Sequence, residues 1–159
     1  MSSTHRIDEP GAPLLFASGA PGLVVTDVDS TLITQEVIEE LAEAAGTREQ
    51  VAAVTARAMN GELDFAESLR ERVATLRGVP QSVFADVLAR ITPTTGAREL
   101  IDAVHAAGGH FGVVSGGFEE VVAPLASSLG IDFYAANRLE VVDGYLTGRV
   151  LGRIVTSQV

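Results

Sequence analysis

The chain reads as an α/β protein built on a parallel sheet, with a block of helices inserted after the first strand. Three observations predict this. Residues 23–27 form a short apolar run, Leu23-Val24-Val25-Thr26-Asp27, without alternation, as suits a strand buried on both faces. Residues 37–91 carry helical periodicity and no strand pattern. Residues 92–159 then alternate helix and strand, the grammar of parallel α/β units.

The elements follow in order. Residues 1–22 hold Glu9-Pro10-Gly11, Ala12-Pro13 and Ala20-Pro21-Gly22 and read as a loose leader. After the first strand, Val37, Ile38, Leu41, Ala42 and Ala45 share one face of a helix over residues 35–45, which Gly46 stops. Thr47 is the expected cap of a second helix, with Gln50 at the capping-box position, ending near Asn60-Gly61. Asp64 begins a third, running to Gly78, and Pro80 opens a fourth, ending near Ile91. Thr92-Pro93 breaks the series.

A helix over 97–107 ends at Gly108-Gly109. A strand over 110–114 leads into Ser115-Gly116-Gly117, and a helix spans 118–129. A strand over 132–136 comes next, then a hairpin of 138–142 and 145–151 turning on Asp143-Gly144. The expected division is a leader (1–22), an α/β core (23–36 and 92–159) and a helical cap (37–91).

Composition narrows the function. Acids outnumber bases 21 to 11, for a formal charge of −10. Such a chain repels a phosphate backbone, so nucleic acid is not an expected partner. All the bases are arginines; there is no lysine and no cysteine, hence no thiol chemistry. No apolar run approaches the ~18 residues of a membrane span, and no basic region precedes an apolar core at the start. A soluble, cytoplasmic protein without a membrane partner is expected.

Ligands of open α/β sheets bind beyond the carboxyl ends of the strands, and two strand tips here are unusual. At the second tip, Ser115-Gly116-Gly117 combines a hydroxyl donor with backbone a ligand can approach, ahead of a helix start. Read alone, it is also an ordinary serine cap with glycines in a turn. At the first tip, Asp27 and Asp29 would repel an anion unless a cation intervened, and Mg²⁺ is the hard ion that binds through one or two carboxylates plus phosphate. One aspartate could attack phosphorus while the other moves protons. Read alone, Asp27-Val28-Asp29-Ser30-Thr31 is also a solvated turn.

The two tips together resemble the haloacid dehalogenase-like phosphatases. The stretches D-V-D-S-T-L-I-T-Q-E (27–36), A-M-N-G-E-L-D-F-A-E-S-L-R-E-R-V (58–73), I-T-P-T-T-G-A (91–97) and A-N-R-L-E-V-V-D-G-Y-L-T-G (136–148) resemble the phosphoserine phosphatases within them. The resemblance implies a Rossmann-like three-layer core with a helical cap, and Mg²⁺-dependent hydrolysis of O-phospho-L-serine at the last step of serine biosynthesis. It implies Asp27 as nucleophile, Asp29 as general acid and base, and a metal on the Asp27 carboxylate and the Asp29 main-chain carbonyl. Ser115 and Gly116 would take the phosphate, Glu36 the amino group and Arg72 the carboxylate, with Met59 and Phe65 closing over the substrate. Without the resemblance, Glu36 is a first-turn helix acid, Arg72 part of a solvated face, and Met59 and Phe65 core residues.

Two features of that family have no counterpart in the chain: a phosphate-neutralising lysine and a G-D-G-x-N-D loop carrying a further metal ligand. Arg149 and Arg153 are the nearest cations in sequence, and a solvated role is expected for both. The C-terminal part of the core is expected to be missing, this chain alone to be inactive, and its bare sheet to favour a homodimer. The alternatives are a module that binds phosphate or a partner without turnover, and a related phosphotransferase.

Overall fold

The computed structural model describes residue 19 and residues 21–156. Most of the expected leader therefore lies outside the described residues. Four strands form one sheet in the order β1-β2-β3-β4: β1 Leu23–Thr26, β2 His110–Phe118, β3 Phe133–Val142 and β4 Tyr145–Leu151. Pairing is parallel from β1 to β2 and from β2 to β3, and antiparallel from β3 to β4. The helices are α1 Val37–Ala45, α2 Arg48–Met59, α3 Phe65–Ala74, α4 Val83–Arg90, α5 Ala97–Ala106 and α6 Glu119–Leu129. The α/β class and the helical insertion stand as expected.

Local chemistry explains most boundaries. Gly46 ends α1 with φ of 73°, a left-handed conformation open to glycine at little cost. Asp64 starts α3 in a full capping box: its side chain accepts from Glu67 N at 2.8 Å, and Glu67 Oε2 accepts from Asp64 N at 2.9 Å. Asp143 and Gly144 both have positive φ, the turn that matches the twist of a two-residue hairpin.

Five expectations are corrected. Thr47 stands at the N-cap position of α2 as expected, but its side chain makes no capping bond; its hydroxyl accepts from Thr75 Oγ1, at the end of α3, at 3.3 Å. α3 stops at Ala74, short of Gly78, and Pro80 does not open α4 but forms a bridge to Tyr145. The strand at 110–114 continues to Phe118, so Ser115-Gly116-Gly117 is extended and the helix begins at Glu119. The strand at 132–136 and the first arm of the hairpin are one strand, in which Asn137 is accommodated by side-chain bonds to Gly116 of β2 and to Val155 after β4.

The inserted block is tied to the core at both ends. Thr34 N donates to Thr92 O at 3.1 Å, and Thr92 N donates to Gln35 Oε1 at 3.0 Å, so the way in and the way out lie side by side. Farther on, Gly78 N donates to Leu146 O and Leu146 N to Val79 O, both at 2.8 Å, which straps the α3–α4 link to β4. The core cluster runs through both parts, joining Leu41, Leu69 and Leu76 of the block to Ile101, Phe111, Val113 and Phe118.

Among the described residues, nothing covers one sheet face. Leu23 and Val25 of β1, Val114 of β2 and Phe133 of β3 are 53, 48, 42 and 42% exposed, and the Phe133 ring lies over Gly112 where any side chain would collide. A parallel sheet normally has both faces covered. Fully burying such side chains is worth ~1.5–3 kcal/mol each, so this face binds apolar surface where it can. The chain is expected to enhance the fluorescence of an apolar dye in its native state. Leu23→Lys with Val25→Glu should remove most of that signal without lowering helix content by circular dichroism. An unchanged signal would place the apolar surface elsewhere.

Candidate active site

Register builds the site. With Thr26 opposite Val113, the ends of β1 and β2 stand together, and Asp27 emerges beside Val114 and Ser115. After Asp27 the chain makes an irregular turn over residues 28–32, with Ser30 at φ of 53°. That turn is pinned from outside: Thr94 Oγ1 donates to Thr31 O at 2.6 Å and Thr94 N to Leu32 O at 2.8 Å. Val28, Leu32 and Ile33 are buried beneath it, which leaves the polar members facing outward.

Asp27 and Asp29 are held differently. Asp27 is exposed, its Oδ1 accepting from Val28 N at 2.7 Å. Asp29 is half-buried, its Oδ1 accepting from Val37 N at the start of α1 at 2.9 Å. Its carboxyl lies so close to β2 that a Cβ on Gly117 would stand 3.2 Å from Asp29 Oδ2 and 3.0 Å from Ser115 Oγ. Burial pushes the Asp29 carboxyl up from 3.8 to about 6, helped by the charges of Glu36 and Asp27 and opposed by the Val37 N–H and Arg72. At neutral pH it is therefore ionised but within easy reach of a proton, as a group that must both give and take one requires.

The second tip is rigid. Ser115 is buried, and its Oγ accepts from Gly117 N at 2.9 Å, leaving the hydroxyl proton free to donate. Asn137, 1% exposed, donates to Gly116 O at 3.0 Å and accepts from Val155 N at 2.7 Å. It thereby joins the β2 tip to the segment after β4. Sequence reasoning missed this residue; the signal was an amide inside the otherwise apolar start of β3.

A cavity of about 440 Å³ brings Asp27, Asp29, Glu36, Phe65, Arg72, Ser115 and Gly116 together. Glu36 accepts from Ser30 Oγ at 3.2 Å, and Arg72 Nε donates to Ser68 O at 3.2 Å. Burial weakens the hold of Arg72 on its proton, an effect that Glu36, Asp29 and Glu39 offset only in part. Phe65 covers Gly116: a Cβ there would stand 3.0 Å from the ring. Ile38, Leu69, Phe118 and Val155 complete the wall and were not anticipated. Met59 is not brought to the cavity; it is 83% exposed at the end of α2. Arg149 and Arg153 are exposed and do not line it.

This cavity sets the open carboxylate of Asp27, the half-buried carboxyl of Asp29, the buried hydroxyl of Ser115 and the opposite charges of Glu36 and Arg72 around one space. Among the described residues, no helix is long and apolar enough to cross a membrane.

Residues 24–157 match the haloacid dehalogenase-like hydrolase family. A phosphoserine phosphatase of Streptococcus thermophilus is 56% identical over 142 residues, 89% of this chain and 66% of that protein. A solved structure of a phospho-aspartyl intermediate analogue of phosphoserine phosphatase superposes with a TM-score of 0.76 at 44% identity, over 84% of this chain and 64% of that one. A substrate-bound phosphoserine phosphatase complex gives 0.76 and 44%, over 82% and 62%. The chain thus spans just under two thirds of these relatives.

The Asp29 environment has a measurable cost. A carboxyl raised from 3.8 to about 6 binds more protons folded than unfolded between those values, so its contribution to stability falls as pH rises through that window. Asp29→Asn keeps an acceptor for Val37 N–H and removes the charge. Without divalent cations, it is expected to stabilise the fold by roughly 1–2 kcal/mol at pH 7–8, with the gain vanishing below about pH 4. Urea unfolding across pH measures this; a gain independent of pH would mean that burial does not penalise the Asp29 charge.

Proposed function

The chain belongs to the haloacid dehalogenase-like hydrolases, and from that membership we propose that its cavity hydrolyses the phosphomonoester of O-phospho-L-serine. The observation that carries the reading is the meeting of the two strand tips, with Asp29 packed against Gly117 and Ser115 and Asp27 open to the same cavity. The similarity to phosphoserine phosphatases supports the choice of substrate.

In this reaction Asp27 attacks phosphorus. The bond from phosphorus to the seryl oxygen breaks, and Asp29 delivers its proton to that oxygen. Asp29, now a carboxylate, takes a proton from water, which attacks the phosphorus of the aspartyl-phosphate and frees Asp27. A carboxyl poised near 6 suits both halves. Ser115 donates to a phosphoryl oxygen. Arg72 pairs with the substrate carboxylate through its planar fork, Glu36 takes the ammonium, and Ser30 holds Glu36 in place. Phe65 excludes water above Gly116.

The donors fit a hard cation that keeps water and substrate oxygens. The exposed Asp27 carboxylate faces the cavity, and no group of three or more His, Cys, Asp or Glu clusters into a closed metal site among the described residues. Mg²⁺ would be held by Asp27 and by the main chain of Asp29, and would supply positive charge beside the phosphoryl oxygens. This activity corresponds to the last step of serine formation. A cytoplasmic setting and a homodimer through the bare sheet face belong to the same proposal, the latter supported by the exposure of Val25 and Phe133.

Phosphate release from O-phospho-L-serine with Mg²⁺ tests the reading. Since the chain has no lysine to oppose the developing anion, it is expected to turn over at least ~10²–10³-fold more slowly than the same chain extended with a lysine and a G-D-G-x-N-D segment. In the extended form, Asp27→Asn should abolish both release and the phosphoenzyme trapped by acid quench. Release that survives Asp27→Asn would sink the assignment of the nucleophile.

Substrate selection has its own test. Arg72→Ala in the extended form should lower kcat/KM for O-phospho-L-serine by ~30-fold or more, the size of a lost buried charge pair. O-Phosphoethanolamine, which lacks the carboxylate, should lose far less. Equal losses would mean that Arg72 supports the helical block and does not read the ligand.

A further inference from the structure

A second polar cavity, of about 420 Å³, lies on the β3–β4 hairpin, apart from the catalytic one and sharing none of its residues. Alternation along β4 sends Leu146 into the core and sets the Gly148 position against Ala74 and the Cβ of Arg77, just after α3. Tyr145, Leu146, Thr147 and Arg149 of β4 line the cavity with Glu140 and Val142 of β3 and with Arg77 and Gly78.

Two features of this cavity lack an internal explanation. Among the described arginines, Arg48, Arg57, Arg90 and Arg138 pair with an acid, whereas Arg70, Arg72, Arg98 and Arg153 do not. Arg77 and Arg149 make no ion pair with any described residue, although Glu140 lines the same cavity. In the same wall, Thr147 Oγ1 is buried and has no hydrogen-bond partner among the described residues. A buried hydroxyl without a partner carries a desolvation cost that a bound oxygen atom could offset.

We propose that the β3–β4 hairpin carries a binding site for a small oxyanion, held between the Arg77 and Arg149 guanidiniums. Two planar forks arriving from different segments suit an ion with several oxygens. Glu140 tempers the charge and offers an acceptor to an oxyanion that keeps a proton, such as hydrogen phosphate or a half-protonated dicarboxylate. The support is rigid, because the strap of Gly78 and Val79 on Leu146 fixes one arginine relative to the other. Arg77 belongs to the inserted block and Arg149 to the hairpin, so the bound ion bridges the two.

Amide NMR of the 159-residue chain, titrated with inorganic phosphate in EDTA, reads this site separately from Ser115 and Gly116. Saturable shifts are expected at Gly78, Thr147 and Arg149. Arg77→Gln and Arg149→Gln should each weaken them at least tenfold, Arg149→Lys less, and Arg70→Gln, an exposed arginine elsewhere on the inserted block, not at all. Unchanged β2 amides confirm that each variant is folded. Malonate in place of phosphate separates the sources: saturation by both makes the site general for oxyanions, and by phosphate alone makes it a phosphate site. No saturable shift with either ion up to about 50 mM, beyond the weakest specific affinities, or shifts that survive both glutamine variants, would overturn the proposal.

Discussion

The parallel register of β1 against β2 is the constraint on which the site depends. With Thr26 opposite Val113, the acids that follow β1 must share space with Ser115, Gly116 and Gly117. Under the proposed function that brings negative charge to the place a phosphate would occupy, a conflict eased by treating the two acids differently. Asp27 stays open to the cavity, while Asp29 is drawn under the Val37 N–H and against Gly117. Burial then shifts Asp29 towards its protonated form, lowering the negative charge that a phosphate meets. A one-residue slip of the sheet would turn every β1 side chain over and separate the tips.

The rest of the molecule holds that meeting in place. The turn after β1 has few regular hydrogen bonds of its own and relies on Thr92 and Thr94 from across the inserted block. The β2 tip relies on Asn137, which reaches from β3 to Gly116 and on to Val155. Phe65, Leu69 and Arg72 arrive on one helix, α3, whose start is fixed by its own capping box.

Much of this was legible in the residues. Local punctuation such as Gly46, Asp64 and Asp143-Gly144 acts within a turn, so its effect can be read from neighbours alone. The two tips were legible because acids and glycines at the ends of apolar runs are poor core residues. What escaped depends on distant partners. Thr47 had the right spacing for a cap, yet its hydroxyl found Thr75. Pro80 looked like a helix opener but lies against β4, a strand encoded more than sixty positions later. Asn137 resembles a strand end until its two partners, Gly116 and the later Val155, are in place. Met59 ends α2 exposed and outside the cavity lining, and no local pattern reports that placement.

The side-by-side entry and exit of the inserted block, at Gln35 and Thr92, has an evolutionary consequence. An insertion whose ends meet is topologically a closed excursion: its length and internal layout can change without rerouting the sheet. Only a few hydrogen bonds at the neck must survive. Arg72 and Phe65 travel with the excursion, and Asp27, Asp29 and Ser115 stay behind. Under the proposed function, recognition and reaction are encoded in separable stretches of chain, and a lineage could retune what is bound while inheriting unchanged how a bond is broken.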